Sequence, residues 1–261
     1  AERAPYVLGT LGATIEYSLE DWKKILDGFS REGINRVYFW WQTLYKPKSY
    51  PDKRSLEGFM FGGKVRLKMT NADVYELARY AHELGMKFLL GGGAFGWGGA
   101  SALGAKGTCP NDPEAWRDHN GFLLEMLESI PEADGIWFEP RDEHGECPCE
   151  VCQKPVDQYG SKQYGQGEIA WLKQFAKKLW QRKPDAELAW LIEVSKEAKM
   201  HTEDPAYFEK IRQIKDPRIQ WIVVWGAWEF SGPRGAYRPL TFFSRQNLHW
   251  NKPYAMSLDA T

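Results

Sequence analysis

Residues 70–90 read TNADVYELARYAHELGMKFLL and contain one complete helix–strand unit. Thr70 and Asp73 form a T-x-x-D pattern, which predicts the capped start of a helix. The apolar residues that follow recur at helical spacing: Val74, Leu77, Ala78, Ala81 and Leu84. Gly85 predicts the helix end, and Lys87–Leu90 begins a short apolar strand. An amphipathic helix followed at once by an apolar strand is typical of parallel β/α proteins.

The same unit recurs on both sides of this stretch, with further helix starts predicted at Ser18 and Asp112-Pro113. Seven strands are predicted: Tyr6–Ala13, Arg36–Trp41, Lys87–Leu90, Gly135–Glu139, Glu187–Glu193, Ile219–Trp225 and Pro253–Leu258. This alternation predicts a (β/α)8 TIM-type barrel in which the eighth strand lies beyond Thr261 or is not recognisable. With no linker or internal repeat, residues 1–261 are predicted to form a single barrel domain, which fits one excised from a longer chain.

The composition argues against two classes of partner. Lys and Arg total 34 against 35 Asp and Glu, so no net field favours nucleic acid. No apolar run approaches the roughly 20 residues that cross a bilayer, so no membrane partner is expected. The chain begins at Ala1 rather than Met, which indicates a mature or trimmed form, and we expect a secreted or periplasmic location. No organic cofactor is expected, and the oligomeric state stays open.

Aromatic residues are abundant, with 13 Trp, 12 Tyr and 13 Phe. Most are expected to fill the core, because aromatic side chains bury much surface. Trp97 and Trp228 lie in predicted loops near glycines, and Trp225 ends the sixth strand. A flat indole stacks well on the C–H face of a sugar ring, so these three are predicted to contact carbohydrate.

A glycine pattern after the third strand imitates a nucleotide site. Gly91, Gly93 and Gly96 match G-x-G-x-x-G, but Trp97 follows among further glycines, so no helix begins where a pyrophosphate needs one. The pattern instead predicts a glycine-rich loop.

The segment 136–152, IWFEPRDEHGECPCEVC, carries the most chemistry. Glu139 ends the fourth strand, Asp142 and Glu143 follow within four residues, and barrel active sites lie at this end of the strands. Acidic residues are also common in exposed loops, but three carboxylates directly after a buried strand favour catalysis. Glycoside hydrolysis needs an acid for the leaving oxygen and a second carboxylate. Arg141 and His144 adjoin the acids and are predicted to bind substrate.

Two later strand ends offer a partner carboxylate. Glu193 ends the fifth strand, and Glu229 follows the sixth beside Trp228. Each is a candidate for the second catalytic carboxylate, although caps and salt bridges use the same residue type.

Residues 69–143 resemble the corresponding stretch of family 20 hexosaminidases and their relatives. The resemblance rests on three stretches: Glu76-Leu-Ala-Arg-Tyr80-Ala81, Pro113-Glu114, and Pro140-Arg141-Asp142-Glu143 where the family has Gly-Gly-Asp-Glu. It implies that Glu143 is the general acid. It also implies that Asp142 orients a substrate 2-acetamido group, which attacks the anomeric carbon. Family 67 α-glucuronidases are similar over a shorter span around Asp142-Glu143-His144-Gly145, and also indicate Glu143.

Two functions follow. The first is a glycoside hydrolase acting on a polysaccharide or its oligosaccharide fragments. The alternative is a degenerate barrel that binds carbohydrate without cleaving it. The uncounted eighth strand and the replacement of the family's glycine pair by Pro140-Arg141 favour that alternative.

The four cysteines form a second candidate site. Cys147, Cys149 and Cys152 give C-x-C-x-x-C, and Cys109 follows the neighbouring strand. Since the loops after adjacent parallel strands meet at one edge, all four are predicted to converge. Four thiolates can complete a structural zinc site, while one or two disulfides, or reduced cysteines, remain open. Relatives of the family 20 fold with unassigned activities also carry a similar C-x-C-x-x-C, as far as the resemblance implies.

Overall fold

The computed structural model describes residues 6–9, 17–42, 45, 48–49, 68–93, 95, 109–139, 147–158, 161–194 and 205–225. At the strand positions 6–9, 139, 191–194 and 222–225 the description covers the backbone. The strands of this part are β1 (Tyr6–Gly9), β2 (Arg36–Trp40), β3 (Lys87–Gly93), β4 (Gly135–Glu139), β5 (Glu187–Val194) and β6 (Ile219–Trp225). Its helices are α1 (Leu19–Arg31), α2 (Asn71–Glu83), α3 (Pro113–Ser129), α4 (Glu150–Gln153), α5 (Gln163–Arg182) and α6 (Pro205–Arg212).

The strands form one parallel sheet in the order β1-β2-β3-β4-β5-β6. Each strand therefore pairs with its neighbours in sequence, and the order never reverses as it does in doubly wound sheets. This singly wound order is the arrangement of a β/α barrel. The α/β class and the parallel sheet of the prediction are confirmed.

Side chains that meet across the interior show that the sheet curls. The Tyr38 hydroxyl of β2 donates a hydrogen bond to Oε1 of Gln220 on β6 at 3.4 Å. These strands lie four positions apart, about 19 Å along a flat sheet. Arg36 of β2 donates two hydrogen bonds, of 3.0 and 3.1 Å, to Glu187 of β5. The inner faces of distant strands therefore turn toward each other, as in a barrel.

Local signals fix the helix boundaries. Capping boxes join Ser18 to Asp21 at the start of α1 and Thr70 to Asp73 at the start of α2, as predicted. Asp112 caps α3, and Pro113 occupies its first turn. Gly85, which was predicted to end α2, has a φ of +76°, and Gly33 after α1 has a φ of +73°. Glycine suits this left-handed backbone because it has no Cβ.

The structure corrects the interpretation of the first glycines after Leu90 as a loop. Gly91–Gly93 continue β3 and pair with Trp137, Phe138 and Glu139 of β4. A Cβ at Gly91 would overlap the Trp137 carbonyl oxygen and lie 2.6 Å from two atoms of the Trp137 indole. The indole crosses β3 at this point, and its Nε1 donates to the Phe39 carbonyl of β2. The glycine is therefore there to make room for a large neighbour.

Two predicted strand segments fall outside the described residues. They are the seventh strand, Pro253–Leu258, and residues 10–13 of the predicted first strand. The single domain spanning 1–261 accordingly stays a prediction. Among the described helices, none has both the length and the apolar character needed to cross a membrane.

Candidate functional site

The carboxyl edge of the sheet is where the predicted catalytic residues are expected. Glu139 is the last residue of β4 and pairs with Gly93, the last residue of β3. Glu193 pairs with Val224, and Trp225 closes β6. The backbone thus places two of the candidate carboxylates and one candidate tryptophan at the same edge. The other candidates lie outside the described residues: Trp97, Arg141, Asp142, Glu143, His144, Trp228 and Glu229.

Aromatic packing outside the sheet holds β4 in place. Phe138 makes edge contacts with Trp171 and Phe175 of α5 and with Trp190 of β5, at centroid distances of 5.1, 5.4 and 5.9 Å. The Trp171 indole donates to Asn120 of α3. The expectation that many aromatics fill the core is confirmed for these residues. The strand that leads to Glu139 is consequently held by aromatic contacts to α5 and β5.

Gln42 is a polar residue at this edge that the sequence analysis missed. It follows β2, is fully buried, and donates from Nε2 to the Gly93 carbonyl at 2.9 Å. Its Oε1 accepts no hydrogen bond from any described residue. The sequence carries a signal for this residue. Gln42 directly follows the apolar run VYFWW, where burial is expected, and glutamine is rarely a buried residue.

The four cysteine sulfurs converge, as predicted, and lie within 4.8 Å of one another. The Cys109 sulfur is 3.5 Å from that of Cys152 and 3.8 Å from that of Cys149. Cys109 lies shortly before α3, whereas the other three flank or belong to the short helix α4. All four are free, so the structure contains no disulfide among them. Such a cluster can hold a metal ion.

Hydrogen bonds position the cluster independently of any ion. Asn111 donates from Nδ2 to the Cys152 sulfur at 3.3 Å and to the Gln163 carbonyl at the start of α5. Gln153 donates to the Cys147 carbonyl at 2.9 Å. A Cβ at Gly167 would lie 2.7 Å from Asn111 Oδ1, so α5 approaches this turn closely only because residue 167 is glycine. No local pattern in the sequence marks Asn111 as a neighbour of the cluster.

The thiols differ in acidity. Burial raises the pKa of Cys109 to about 11. Burial also raises the pKa of Cys152, against the opposing hydrogen bond from Asn111. The Cys152 backbone N–H, which donates to the Cys149 sulfur at 3.4 Å, lowers the pKa of Cys149 to about 7. A hydrogen bond to a thiolate stabilises the charged form, whereas burial disfavours it.

No protein-family model matches the chain, and no curated protein matches it by sequence. Several solved structures have a similar fold. A chitobiase of Flavobacterium johnsoniae has a TM-score of 0.57 at 11% identity over 85% of this chain and 38% of its own. The pneumococcal StrH, studied for N-glycan recognition and hydrolysis, gives 0.53 at 12% identity over 89% of this chain and 60% of its own.

A β-N-acetylhexosaminidase from Bacteroides fragilis gives a TM-score of 0.50 at 14% identity over 71% of this chain and 40% of its own. The chain thus spans between 38% and 60% of the length of these three structures. At such identities the likeness concerns the fold. It agrees with the TIM-barrel type of architecture that the parallel, singly wound sheet indicates.

Proposed function

We propose that this chain is a glycoside hydrolase that cleaves a polysaccharide or its oligosaccharide fragments. The observation that carries the proposal is the end of β4 at Glu139, on the carboxyl edge of a singly wound parallel sheet. Enzymes of this fold carry their catalytic groups at that edge. Asp142 and Glu143 follow Glu139 within four residues of sequence.

In this proposal Glu143 is the general acid that donates a proton to the glycosidic oxygen. Asp142 orients a 2-acetamido group of the substrate, which attacks the anomeric carbon. If the substrate lacks that group, Glu139, Glu193 or Glu229 supplies the second carboxylate, as nucleophile or as base for a water. Arg141 and His144 contact the substrate, and Trp97, Trp225 and Trp228 stack on sugar rings.

The leaving group provides the sharpest test. Glu143→Gln should lower kcat/KM for alkyl glycosides by about 10²- to 10⁴-fold, the usual contribution of a general acid. The loss should be much smaller for dinitrophenyl glycosides, because that leaving group departs without protonation. The compounds assayed should include N-acetyl-β-hexosaminides and α-glucuronides.

Glu150→Gln is the matched control, since Glu150 is exposed in the same segment, at the start of α4. It should keep wild-type rates. Equal losses on both kinds of leaving group would remove Glu143 from the acid role. Saturable binding of oligosaccharides without turnover by the wild type would instead favour the alternative, a barrel that binds carbohydrate without cleaving it.

The proposal also includes a secreted or periplasmic location, where polymeric carbohydrate is met. Fractionation of the native host with an antibody against the chain tests this directly. Recovery in the cytoplasmic fraction alone would contradict it.

A further inference from the structure

The four cysteine sulfurs have the spacing of ligands to one tetrahedral ion. Zinc–sulfur bonds of about 2.3 Å place the corners of a tetrahedron about 3.8 Å apart. The separations from Cys109 are 3.5 Å to Cys152 and 3.8 Å to Cys149, and all four sulfurs lie within 4.8 Å. We propose that this cluster binds one Zn²⁺ through four thiolates, and that the ion joins the turn before α3 to the segment around α4.

Other uses of four cysteines fit the geometry less well. A disulfide requires a sulfur–sulfur distance of about 2.05 Å, far shorter than those observed. Iron–sulfur clusters bind their thiolates through several iron atoms, so those sulfurs lie further apart than around a single ion. Among single ions, a tetrahedral set of four thiolates is the preference of zinc. Four protein ligands leave no open position, so the ion is structural rather than catalytic.

The surroundings of the cluster also resemble those of a prepared site. Asn111 donates to the Cys152 sulfur, and Trp116 donates to the Pro110 carbonyl beside Cys109 at 2.7 Å. Such outer hydrogen bonds orient metal ligands and stabilise the negative charge on their sulfurs. The two cysteine segments are therefore held next to each other by contacts that do not involve the ion.

The place of the cluster in the chain gives the ion its consequence. The cysteines of residues 147–152 flank or belong to α4, whereas Cys109 belongs to the turn before α3. That turn is joined to the body of the protein, because α3 packs against α5 through the bond between Asn120 and Gln174. Binding the ion thus ties the short helix α4 to the start of α3. Neither zinc binding nor this link rests on the proposed function.

Metal analysis of the purified wild type tests the site itself. We expect one zinc per chain, lost in Cys109→Ser and Cys152→Ser. The control Val151→Ser should keep its zinc, because Val151 lies between two proposed ligands, is 55% exposed and carries no ligand atom. Iron in place of zinc, a disulfide found by mass spectrometry, or four reactive thiols without metal would each overturn the proposal.

If a serine variant fails to fold, the site can still be tested on the wild-type protein. Zinc can be removed from the wild type by a chelator, which leaves the four thiols free, and replaced by Co²⁺. Four thiolates around Co²⁺ should give a sulfur-to-cobalt charge-transfer band and strong visible absorption typical of tetrahedral geometry. The absence of both bands from cobalt-loaded protein would contradict the four-thiolate site.

The link between the two segments has its own readout, amide hydrogen exchange of residues 147–153. Removal of zinc should make this exchange at least several-fold faster, while exchange in α2 remains unchanged as an internal control. Equal rates with and without zinc would overturn the link even if zinc binds. If the wild type turns over no glycoside, the proposed function fails, and the metal and exchange results still decide this inference.

Discussion

The two edges of the sheet use their polar side chains differently. At the amino edge, where strands begin, the Glu187 carboxylate accepts two hydrogen bonds from Arg36 and one of 2.7 Å from Gln220. At the carboxyl edge, Gln42 is buried with an Oε1 that accepts from no described residue, and the cysteines converge without bonding covalently. The charged carboxylate of the amino edge is paired internally, whereas the carboxyl edge keeps groups that a ligand or an ion can engage.

This difference indicates that stability depends mainly on the amino edge and function on the carboxyl edge, as is general in β/α barrels. Contacts at the amino edge join β2 to β5 and β6, so they hold the curl of the sheet. We therefore expect substitutions there to lower the free energy of unfolding. Substitutions at the carboxyl edge should affect ligand binding more than folding.

The largest expected loss of stability is at Glu187. Glu187→Ala removes the carboxylate that Arg36 and Gln220 contact, and should lower the free energy of unfolding by about 3 kcal/mol, because a largely buried guanidinium loses its opposite charge. Denaturant titration measures this. The control Glu128→Ala breaks the exposed pair with Arg182 and should cost far less. Equal losses in the two variants would show that the amino edge contributes no more to stability than an exposed ion pair does.

The second prediction concerns Gly91 of β3, which lies between the two edges of the sheet. Gly91→Ala should cost about 2 kcal/mol, since its Cβ would overlap both the carbonyl oxygen and the indole of Trp137, and overpacking strains a filled interior. Gly28→Ala in α1 is the control of opposite sign, because its Cβ would meet only Arg31 at 3.9 Å and alanine favours a helix. Thermal melts of both variants check the pair. A neutral Gly91→Ala would show that β3 can move away from Trp137.

Much of the fold was predictable because its signals are local. Each capping box and each helix-ending glycine lies within a few residues of the boundary that it sets, as at Ser18 and Asp21. The continuation of β3 through Gly91 was not predictable, because glycine is a poor strand former and its reason is an indole 46 positions away in sequence. The contact of Arg36 with Glu187, 151 residues apart, has no local signal either.

The candidate site divides in the same way. The convergence of Cys109 with Cys152 followed from topology, since loops after adjacent parallel strands meet at one edge. Asn111 was missed because an asparagine two residues after a cysteine is equally typical of a turn. The roles of Glu143 and Asp142 stay predictions that only the kinetic experiments address.

A smaller effect is expected at Gln42. Gln42→Met keeps the approximate volume but removes the hydrogen bond to the Gly93 carbonyl, which should cost about 1 kcal/mol. The same denaturant titration as for Glu187 checks this value. A loss as large as that of Glu187→Ala would show that the carboxyl edge also holds the fold together.

The smallest expected effect is the pH dependence contributed by Asp134, just before β4. Burial would raise the pKa of this carboxyl group. Hydrogen bonds from Lys87, the Phe88 N–H and His82 outweigh burial and hold the pKa below its ordinary value of 3.8. A carboxyl group with a lower pKa in the folded state stabilises that state at pH values above the unfolded pKa. This contribution disappears as the pH falls through the folded pKa.

Asp134→Asn should therefore be less stable than the wild type at about pH 6. The difference should shrink below about pH 4, where the carboxyl group of the unfolded wild-type chain takes up a proton before that of the folded protein. Denaturant titrations of both proteins across this range measure the difference in free energy of unfolding. The other carboxyl groups titrate alike in both proteins, so their contributions cancel in this difference. Asp118→Asn, in the partly exposed pair with Arg117 on α3, serves as the control and should follow the wild type throughout. A difference that stays constant from pH 6 to the acid limit would mean that Asp134 acts through the shape of its hydrogen bonds and not through its charge. The amino edge would then be stabilised by geometry that either protonation state can supply.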